Sequence, residues 1–444
     1  MRPPNGVHLV SDAPLRRRRG RPGIARHGRL RRPNSWRTLL TVIASVLSVA
    51  LVSSVAVTAF AAVTLTGSVS TVKLSDDDQA SANKTSITAM KGGANILLIG
   101  SDTRVGQKAE SLDTEGARND VTILIHISAD HTQLTAVSFP RDLVVPLPAC
   151  TNPDTGTSYP ASSAAQINTA LGNGGVSCVV DTVENLTGVS IPYAGLITFD
   201  GVIEMSNAVG GVSVCVANSI NDGYTGLHLS AGTHTLQGTQ ALQFLRTRHG
   251  VGDGSDLARI SSQQVFLSAL LRKVTSNGTL SNPLTLYKLA RAAISNMTLS
   301  DGLASAQTLV SLATTLKSMS TADMLFVQYP VTDDPYDANR VIVSQSDAHT
   351  LNVALQNDTK TSLTDSSTGR ASEAESGTGS ASSSGTGSSG SSSSGTSSSG
   401  TSSAPSSGSS AGSSASSTPS ATATPLPSTI TGQSAAEQTC SVGN

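Results

Sequence analysis

The sequence is short of charge and of familiar catalytic motifs. Only 13% of its 444 residues are Asp, Glu, Lys or Arg. Outside its Ser- and Gly-rich end it contains no Gly-x-Ser-x-Gly elbow, no Walker loop and no Gly-x-Gly-x-x-Gly run, and it shows no Cys–His pattern of a thiol enzyme. These absences argue against serine and cysteine hydrolases, P-loop enzymes and dinucleotide-dependent enzymes.

The N-terminal part combines a basic segment with a long apolar one. Residues 1–37 contain eleven arginines and one aspartate, and Leu39–Leu65 follows with 27 positions free of charge. At about 1.5 Å per residue this stretch can cross a bilayer core of about 30 Å. Arginines on its N-terminal flank favour a cytoplasmic N-terminus. We predict a disordered cytoplasmic head (1–37), a single uncleaved transmembrane helix (38–65) in the plasma membrane and an extracellular remainder; a cleaved signal peptide is the alternative.

The distribution of charge argues against nucleic acid as a partner. The formal net charge is −1; eleven arginines and one aspartate give the head +10, which leaves −11 for the rest. A protein that binds polyanions non-specifically would not carry so much negative charge on the rest of its chain. The head also has no helix-turn-helix pattern. We assign its arginines to membrane topology and to contact with anionic lipids.

The other end is dominated by Ser, Gly, Thr and Ala over residues 365–444. Such a composition has too little apolar surface to offset the entropy of ordering, so we predict a disordered exterior tail. A polar linker (66–93) and this tail then bound a body over 94–364, long enough for one sizeable core.

The four cysteines match no metal-binding spacing. Their even number in an oxidising exterior predicts disulfides. Cys150 with Cys178, which closes a Gly-, Asn- and Pro-rich loop, is the predicted pair; the pairing of Cys215 and Cys440 is left open.

Three strands are expected at the start of the body: Asn95–Gly100 ("NILLIG"), Asp120–Ser128 ("DVTILIHIS") and Gln133–Pro140 ("QLTAVSFP"). The connection between the second and third is too short for a crossover and predicts an antiparallel hairpin. Helical and strand patterns alternate further along, with a helix expected over Thr235–Arg248. The fold class is therefore α/β, a layered sandwich with a central mixed sheet flanked by helices.

This hairpin brings Asp120 and Arg141 together at one edge of the sheet. Asp102 and Arg104, at the end of the first strand, join them if the intervening loop returns on the same side. A second concentration of charge is "FLRTRHGVGDGSDLARISSQQ" at Phe244–Gln264. In it Ser255 is expected to cap a helix on which Asp256, Arg259 and Gln263 share one face.

Arginine suits a planar, bidentate grip on phosphate. Six arginines at strand ends or in loops could cradle a diphosphate: Arg104, Arg118, Arg141, Arg246, Arg248 and Arg259. Asp102 and Asp120 would oppose an anion unless a cation lay between, and their oxygens suit Mg²⁺ or Mn²⁺. The alternative for each residue is an ordinary structural ion pair.

Four ordered segments carry a more specific signal: "NILLIGSDTR", "RNDVTILIHI", "SFPRDLVVPLP" and "LRTRHGVGDGSDLARISSQQ". Behind a single membrane anchor they resemble the LytR-CpsA-Psr family over roughly residues 94–274. The resemblance implies a phosphotransferase that moves a glycopolymer from a polyprenyl-diphosphate carrier onto peptidoglycan, with Mg²⁺ or Mn²⁺ as cofactor and an apolar groove for the lipid. The family has also been described as transcriptional attenuators.

The resemblance also implies residue roles. Asp102 and Asp120 become the metal ligands and, with Arg141, the catalytic residues; Asp142 would hold the arginines in place. The diphosphate would be bound by Arg118, Arg141, Arg246, Arg248 and Arg259, with Gln263 on the same helix face. Relatives commonly carry Arg-Ser-Asp-Thr where this chain has Arg118-Asn119-Asp120-Val121, and both charged positions are kept. Two alternatives stay open: a polyprenyl-diphosphate hydrolase, and a non-catalytic scaffold that binds wall or lipid.

Overall fold

The structure is a computed structural model of the chain, and it describes residues 70–74, 93–101, 118–152, 155–276, 283–364, 368–375 and 423–444. The predicted head and transmembrane helix (1–65) lie outside the described residues, as do Asp102 and Arg104. Within the described ranges, no helix combines the length and the apolar character needed to span a membrane.

Short strands outnumber helices in the described part of the chain. The strands are β1 Ser70–Val72, β2 Ala94–Ser101, β3 Asn119–Ile127, β4 Leu134–Phe139, β5 Leu143–Leu147, β6 Cys150–Thr151, β7 Ser158–Tyr159, β8 Ser162–Gln166, β9 Tyr193–Thr198, β10 Val212–Val216, β11 Ile220–Asp222, β12 Leu227–Leu229, β13 Gly232–Leu236, β14 Met297–Ser300, β15 Met324–Gln328, β16 Val331–Asp333, β17 Val341–Val343, β18 Thr361–Ser362, β19 Ser372–Ala374, β20 Thr424–Pro425, β21 Gly432–Ser434 and β22 Thr439–Ser441. The α-helices are α1 Ala170–Thr187, α2 Phe199–Ala208, α3 Thr239–Arg246, α4 Asp256–Thr275, α5 Pro283–Asn296, α6 Ala306–Ser318 and α7 Gln345–Gln356, and short 3-10 helices span Ile167–Thr169 and Thr321–Asp323.

The central sheet is mixed, as the sequence predicts. Its strand order is β1-β14-β9-β2-β3-β4-β15-β21. Of the three strands predicted first, β2 pairs antiparallel with β3, and β3 pairs antiparallel with β4. The second pair confirms the predicted hairpin. On their two sides β9 runs parallel to β2 and β15 runs parallel to β4.

Both faces of this sheet are covered, which explains the nearly continuous apolar composition of its inner strands. Leu97 and Leu124 belong to one buried cluster with Val179 of α1. Their neighbours Ile96 and Ile123, which point the other way, belong to a second cluster. Alternate residues therefore enter opposite layers of a sandwich.

A second sheet, β13-β10-β22-β19, has its own buried cluster with α3 and α4. Val214 of β10, Phe244 of α3 and Phe266 of α4 are at most 3% exposed, and the two phenylalanine rings lie 6.2 Å apart. This packing fixes the helix pair that carries the second concentration of charge.

Two predicted boundaries are wrong. Residues of the expected linker form β1, which pairs parallel with β14. Residues 368–375 and 423–444, within the expected disordered tail, contribute strands: β21 extends the central sheet beside β15, and β22 lies between β10 and β19. These segments are short and polar, and their backbone groups form hydrogen bonds with strands from other parts of the chain. Amino-acid composition does not show such pairing.

The helix expected over Thr235–Arg248 begins later. Thr235 and Leu236 pair with β10 as part of β13, and Gly238 has a left-handed φ of 61° before α3 starts at Thr239. A positive φ is readily adopted only by glycine, so the strand can turn directly into the helix at this position.

Both disulfides are present. Cys150, predicted to pair with Cys178, is bonded to it, and the Cβ atoms of both cysteines crowd Gly174, where an added Cβ would lie 2.6 Å from each. The pairing left open by the sequence is Cys215 with Cys440, on the adjacent strands β10 and β22.

Candidate functional site

A cavity of about 520 Å³ lies beside the central sheet, lined by residues of β2, β3, β9, α2, α3, α4 and α5. The lining of the cavity changes along α4 from polar to apolar. Arg259 and Gln263 line it near the start of the helix, and Leu270 and Val274 line it near the end. Fifteen residues of helix correspond to about 22 Å. One continuous space therefore has a charged end and an apolar end.

The two ends draw on different parts of the fold. The polar group includes Asp120, Arg141, Arg246, Arg248, Arg259 and Gln263. The apolar group includes Leu98, Ile197, Phe199, Met205, Leu270 and Val274. Such a space can hold an anion that is attached to a long hydrocarbon.

Asp120 and Arg141 meet at the sheet edge, as the hairpin predicts. Asp120 is the second residue of β3, and Arg141 lies two residues beyond β4. Nη1 of Arg141 donates to Oδ1 of Asp120 at 2.7 Å, with 29% and 19% of the two side chains exposed. Both groups therefore remain accessible from the cavity.

The start of α4 connects the two concentrations of charge. Ser255 caps the helix, and Oδ2 of Asp256 accepts from the backbone N–H of Arg141 at 2.9 Å. Nη2 of Arg259 lies 2.7 Å from Oδ1 of Asp256 and donates to the carbonyl of Asp120 at 2.7 Å. Nε of Arg259 is buried and has no hydrogen-bond partner in the part of the chain that the structure describes.

Asp142 lies behind the arginines, in the holding position that the resemblance implies. Its Oδ2 is 3.7 Å from Nε of Arg141 and 3.7 Å from Nη1 of Arg248. Gln166 donates to its other oxygen at 3.1 Å, and Nε of Arg248 donates to the carbonyl of Gly254 at 3.1 Å. The guanidinium groups are thus oriented before any ligand arrives, which lowers the cost of binding.

The pKa values in this cluster reflect burial opposed by neighbouring charge. Burial raises the pKa of Asp142 above its ordinary value, and the carboxylate of Asp256 raises it further, against the lowering effect of Arg141, Arg248 and Arg259. Burial alone would lower the pKa of Arg141, but its hydrogen bond and charge interaction with Asp120, together with Asp142, raise it. Arg141 is therefore a permanent cation.

Arg246 and Gln263 line the cavity but are held differently. The guanidinium carbon of Arg246 lies 4.4 Å from the centre of the Phe199 ring, within range of a cation–π interaction. The amide of Gln263 donates to the carbonyl of Leu245 at 2.9 Å, so it connects α4 to α3.

One predicted site residue is not brought into this cluster, and two lie where the structure describes nothing. Arg118 is exposed, and it is not among the residues that line the cavity. Asp102 and Arg104 lie outside the described residues. Ser101, the last residue of β2, pairs with Asn119, directly before Asp120.

Asp222 was missed by sequence analysis. Its buried carboxylate accepts hydrogen bonds from the hydroxyl of Thr247 and from the backbone N–H groups of Arg248, Tyr224 and Thr225. Burial alone would raise its pKa, but these bonds outweigh burial and lower it. Asp222 fixes the loop that carries Arg248. The available signal was an Asp-Gly turn ahead of a tyrosine, "NDGYTG".

Two further aspartates, Asp253 and Asp256, lie where the loop enters α4, and Asp256 holds Arg259. Asp253 accepts from the N–H of Ser255 at 2.9 Å but pairs with Arg370, 3.0 Å away, rather than with an arginine of the cavity. Arg370 belongs to the segment predicted to be disordered.

Comparison with known proteins decides the family. The model of the LytR_cpsA_psr family matches residues 57–358. The chain belongs to the LytR-CpsA-Psr family. The resemblance of the four ordered segments is thereby confirmed, and Asp120 and the four arginines that line the cavity come from three of them.

The names of two curated relatives refer to synthesis of the cell wall. "Cell wall biosynthesis protein LcpA" of Corynebacterium glutamicum is 30% identical over 269 residues, which cover 55% of this chain and 51% of LcpA. Polyisoprenyl-teichoic acid–peptidoglycan teichoic acid transferase TagU of Enterococcus faecalis is 31% identical over 188 residues, covering 42% of this chain and 56% of TagU. The chain spans about half the length of these relatives.

Solved structures of the family include the LytR-Csp2A-Psr enzyme from Actinomyces oris. It is 23% identical, with a TM-score of 0.48, and the match covers 64% of this chain and 95% of that one.

Proposed function

We propose that this protein is a membrane-anchored phosphotransferase that moves a glycopolymer from a polyprenyl-diphosphate carrier onto peptidoglycan. The observation that carries the proposal is the change of one cavity from arginine-lined to apolar along α4. A polyprenyl diphosphate has the same order of parts, a doubly charged head joined to a long hydrocarbon. Membership of the LytR-CpsA-Psr family and the names of LcpA and TagU support this substrate class.

The diphosphate is proposed to bind Arg141, Arg246, Arg248 and Arg259, with Gln263 beside them; Arg104 and Arg118 stay proposed as further phosphate ligands. Guanidinium groups that are partly buried and already oriented bind phosphate oxygens strongly, because little solvent reorganisation is required. Arg259 supports the assignment, since its buried Nε is a donor without a described partner. The prenyl chain would lie against α2 and the far end of α4.

Mg²⁺ or Mn²⁺ is proposed as cofactor, held by Asp120 and Asp102. The donor chemistry fits, because carboxylate oxygens are preferred by hard divalent cations and only one oxygen of Asp120 is used by Arg141. Because Ser101 pairs with Asn119, β2 ends beside Asp120, and Asp102 is the next residue in the sequence; this supports Asp102 as the second ligand. A bound cation would offset negative charge on the diphosphate.

In the proposed reaction a hydroxyl of the wall attacks the sugar-linked phosphorus. The bond from this phosphorus to the bridging oxygen breaks, lipid monophosphate leaves, and a phosphodiester joins glycopolymer to wall. The arginines stabilise the charge that builds up on the phosphoryl oxygens. Asp102 is the proposed acceptor of the hydroxyl proton.

Location at the cell envelope follows from the same proposal. The head (1–37) would be cytoplasmic, residues 38–65 would cross the plasma membrane once, and the cavity would face the wall. Two disulfides support an exterior body, since structural disulfides persist mainly in oxidising compartments.

The test is a product analysis with the full-length protein in detergent. Polyprenyl-diphosphate-linked glycan, labelled in the glycan, is incubated with and without purified peptidoglycan. The proposal requires label in the insoluble wall, in a phosphodiester identified by mass spectrometry. Soluble glycan phosphate released equally with and without wall would indicate the hydrolase, and tight binding without any product would indicate the scaffold.

A further inference from the structure

One exposed aromatic residue at the mouth of the cavity is not used by the proposed diphosphate site. Tyr224 lies in the turn between β11 and β12, is 80% exposed and lines the cavity. Its ring centre is 4.4 Å from that of His249, with 39° between the planes. His249 directly follows Arg248, so this aromatic pair lies next to a phosphate-binding arginine.

The turn that carries Tyr224 is held rigidly. Asp222 accepts the N–H groups of Tyr224 and Thr225 through one oxygen, and the hydroxyl of Thr247 and N–H of Arg248 through the other. One buried carboxylate thus connects the turn to the loop of Arg248. The position of the tyrosine relative to the arginine is therefore set by the fold.

The backbone at His249 is held by Asn444, which lies beyond β22. The side chain of Asn444 donates to the carbonyl of His249 at 2.5 Å, and its N–H donates to the carbonyl of Gly250 at 3.2 Å. Gly250 packs closely on β11, where an added Cβ would lie 3.0 Å from Cβ of Asp222. The backbone of both partners of the aromatic pair is thus held in place, although the Tyr224 ring faces solvent.

We propose that Tyr224 and His249 form a stacking platform for a sugar ring beside the diphosphate. The inference rests on the proposed function, which supplies a ligand ordered as hydrocarbon, diphosphate, sugar. The apolar part of the cavity would bind the hydrocarbon, and the arginine-lined part would bind the diphosphate. The sugar would therefore lie at the mouth of the cavity. An aromatic face is apolar and carries partial negative charge, so it attracts the C–H face of a pyranose.

The stacked ring can come from two sources, the first sugar of the donor or the acceptor sugar of peptidoglycan. Both offer the same pyranose chemistry to the platform. Binding and kinetic measurements on the same variants separate them.

Binding is measured with the full-length protein in detergent and two probes, farnesyl diphosphate and farnesyl-diphospho-N-acetylglucosamine. If the platform takes the donor sugar, Tyr224→Ala weakens binding of the sugar-bearing probe about two- to tenfold and leaves farnesyl diphosphate unchanged. Tyr224→Phe keeps wild-type binding, because stacking uses the ring face. Tyr336→Ala serves as control, since Tyr336 is 95% exposed and does not line the cavity.

Transfer kinetics test the acceptor. If the platform takes the acceptor sugar, Tyr224→Ala raises the KM for a soluble peptidoglycan fragment while binding of both probes and kcat stay unchanged. The platform is refuted if Tyr224→Ala changes none of these quantities, or weakens both probes equally. Wild-type protein that fails to bind farnesyl diphosphate would instead refute the proposed function, so the two failures are distinguishable.

Discussion

At the scale of single residues, Arg259 is the side chain on which both charged segments depend. It contacts Asp256 and the carbonyl of Asp120, and only 8% of it is exposed. Arg259→Ala leaves Asp256 as a buried carboxylate without its charged partner, so we expect a loss of about 3–5 kcal/mol in the free energy of unfolding, measured by denaturant titration.

Arg340→Ala is the matched control for this substitution. Arg340 also pairs with an aspartate three residues away, Asp337, at 3.0 Å, but 45% of its side chain is exposed. Its loss should cost less than about 1 kcal/mol. Equal effects of the two substitutions would contradict the structural role of the Arg259–Asp256 pair.

Asp222 gives a prediction about acid stability. Its pKa is lowered by four hydrogen bonds that outweigh burial, so its charged form stabilises the fold fully above the ordinary aspartate pKa. That contribution is lost as pH falls through the lower pKa of the folded state. Asp222→Asn should therefore be less stable than wild type at pH 7, and its Tm should fall less on acidification to about pH 2.5.

The exposed Asp301 supplies the comparison through Asp301→Asn. That variant should follow the wild-type acid profile. A wild-type profile for Asp222→Asn would show that the hydrogen bonds of Asp222 contribute nothing to stability.

At the scale of elements, the two disulfides are expected to differ in how much they stabilise the folded state. Cys150–Cys178 closes a loop of 28 residues, whereas Cys215–Cys440 closes one of 225. Loop entropy predicts about 3.5 kcal/mol for the first and about 5 kcal/mol for the second. Replacing each pair with alanines and comparing denaturation midpoints checks the order; a larger effect of the shorter loop would contradict it.

Sequence patterns predicted the elements that carry their own apolar signal. The strands β2 to β4 carry apolar runs, and α4 has the cap residue Ser255, so their positions and the meeting of Asp120 with Arg141 could be derived. Strands β21 and β22, "GQS" and "TCS", have no such signal. They are specified by pairing partners far away in the chain, which a single sequence does not display.

The same limit explains the site residues that were missed. Arginines beside strand ends stand out in a chain with little charge, whereas Asp222 and Tyr224 lie in a short hairpin whose relation to Arg248 exists only in three dimensions. The role of Asp142 was predicted from the resemblance to the family. The hydrogen bond that Gln166 donates to it is visible only in the structure.

At the scale of the whole molecule, residues beyond the Ser-rich segment belong to the folded body. Deletion of residues 423–444 removes β20, β21, β22 and Cys440, and should abolish cooperative unfolding, measured by circular dichroism during heating. Deletion of the equally long segment 386–407 only shortens a Ser- and Gly-rich connection and should change stability by less than about 1 kcal/mol. Similar behaviour of both deletions would refute a structural role for the final segment.

The central claim is that the arginine-lined end of the cavity processes a lipid diphosphate. Its most direct test is transfer of labelled polyprenyl-diphosphate-linked glycan to peptidoglycan by the wild type, Arg141→Ala and Asp120→Ala, with folding checked by circular dichroism. The account predicts transfer by the wild type and a loss of about 100-fold or more in both folded variants. Transfer at the wild-type rate by either folded variant would contradict it.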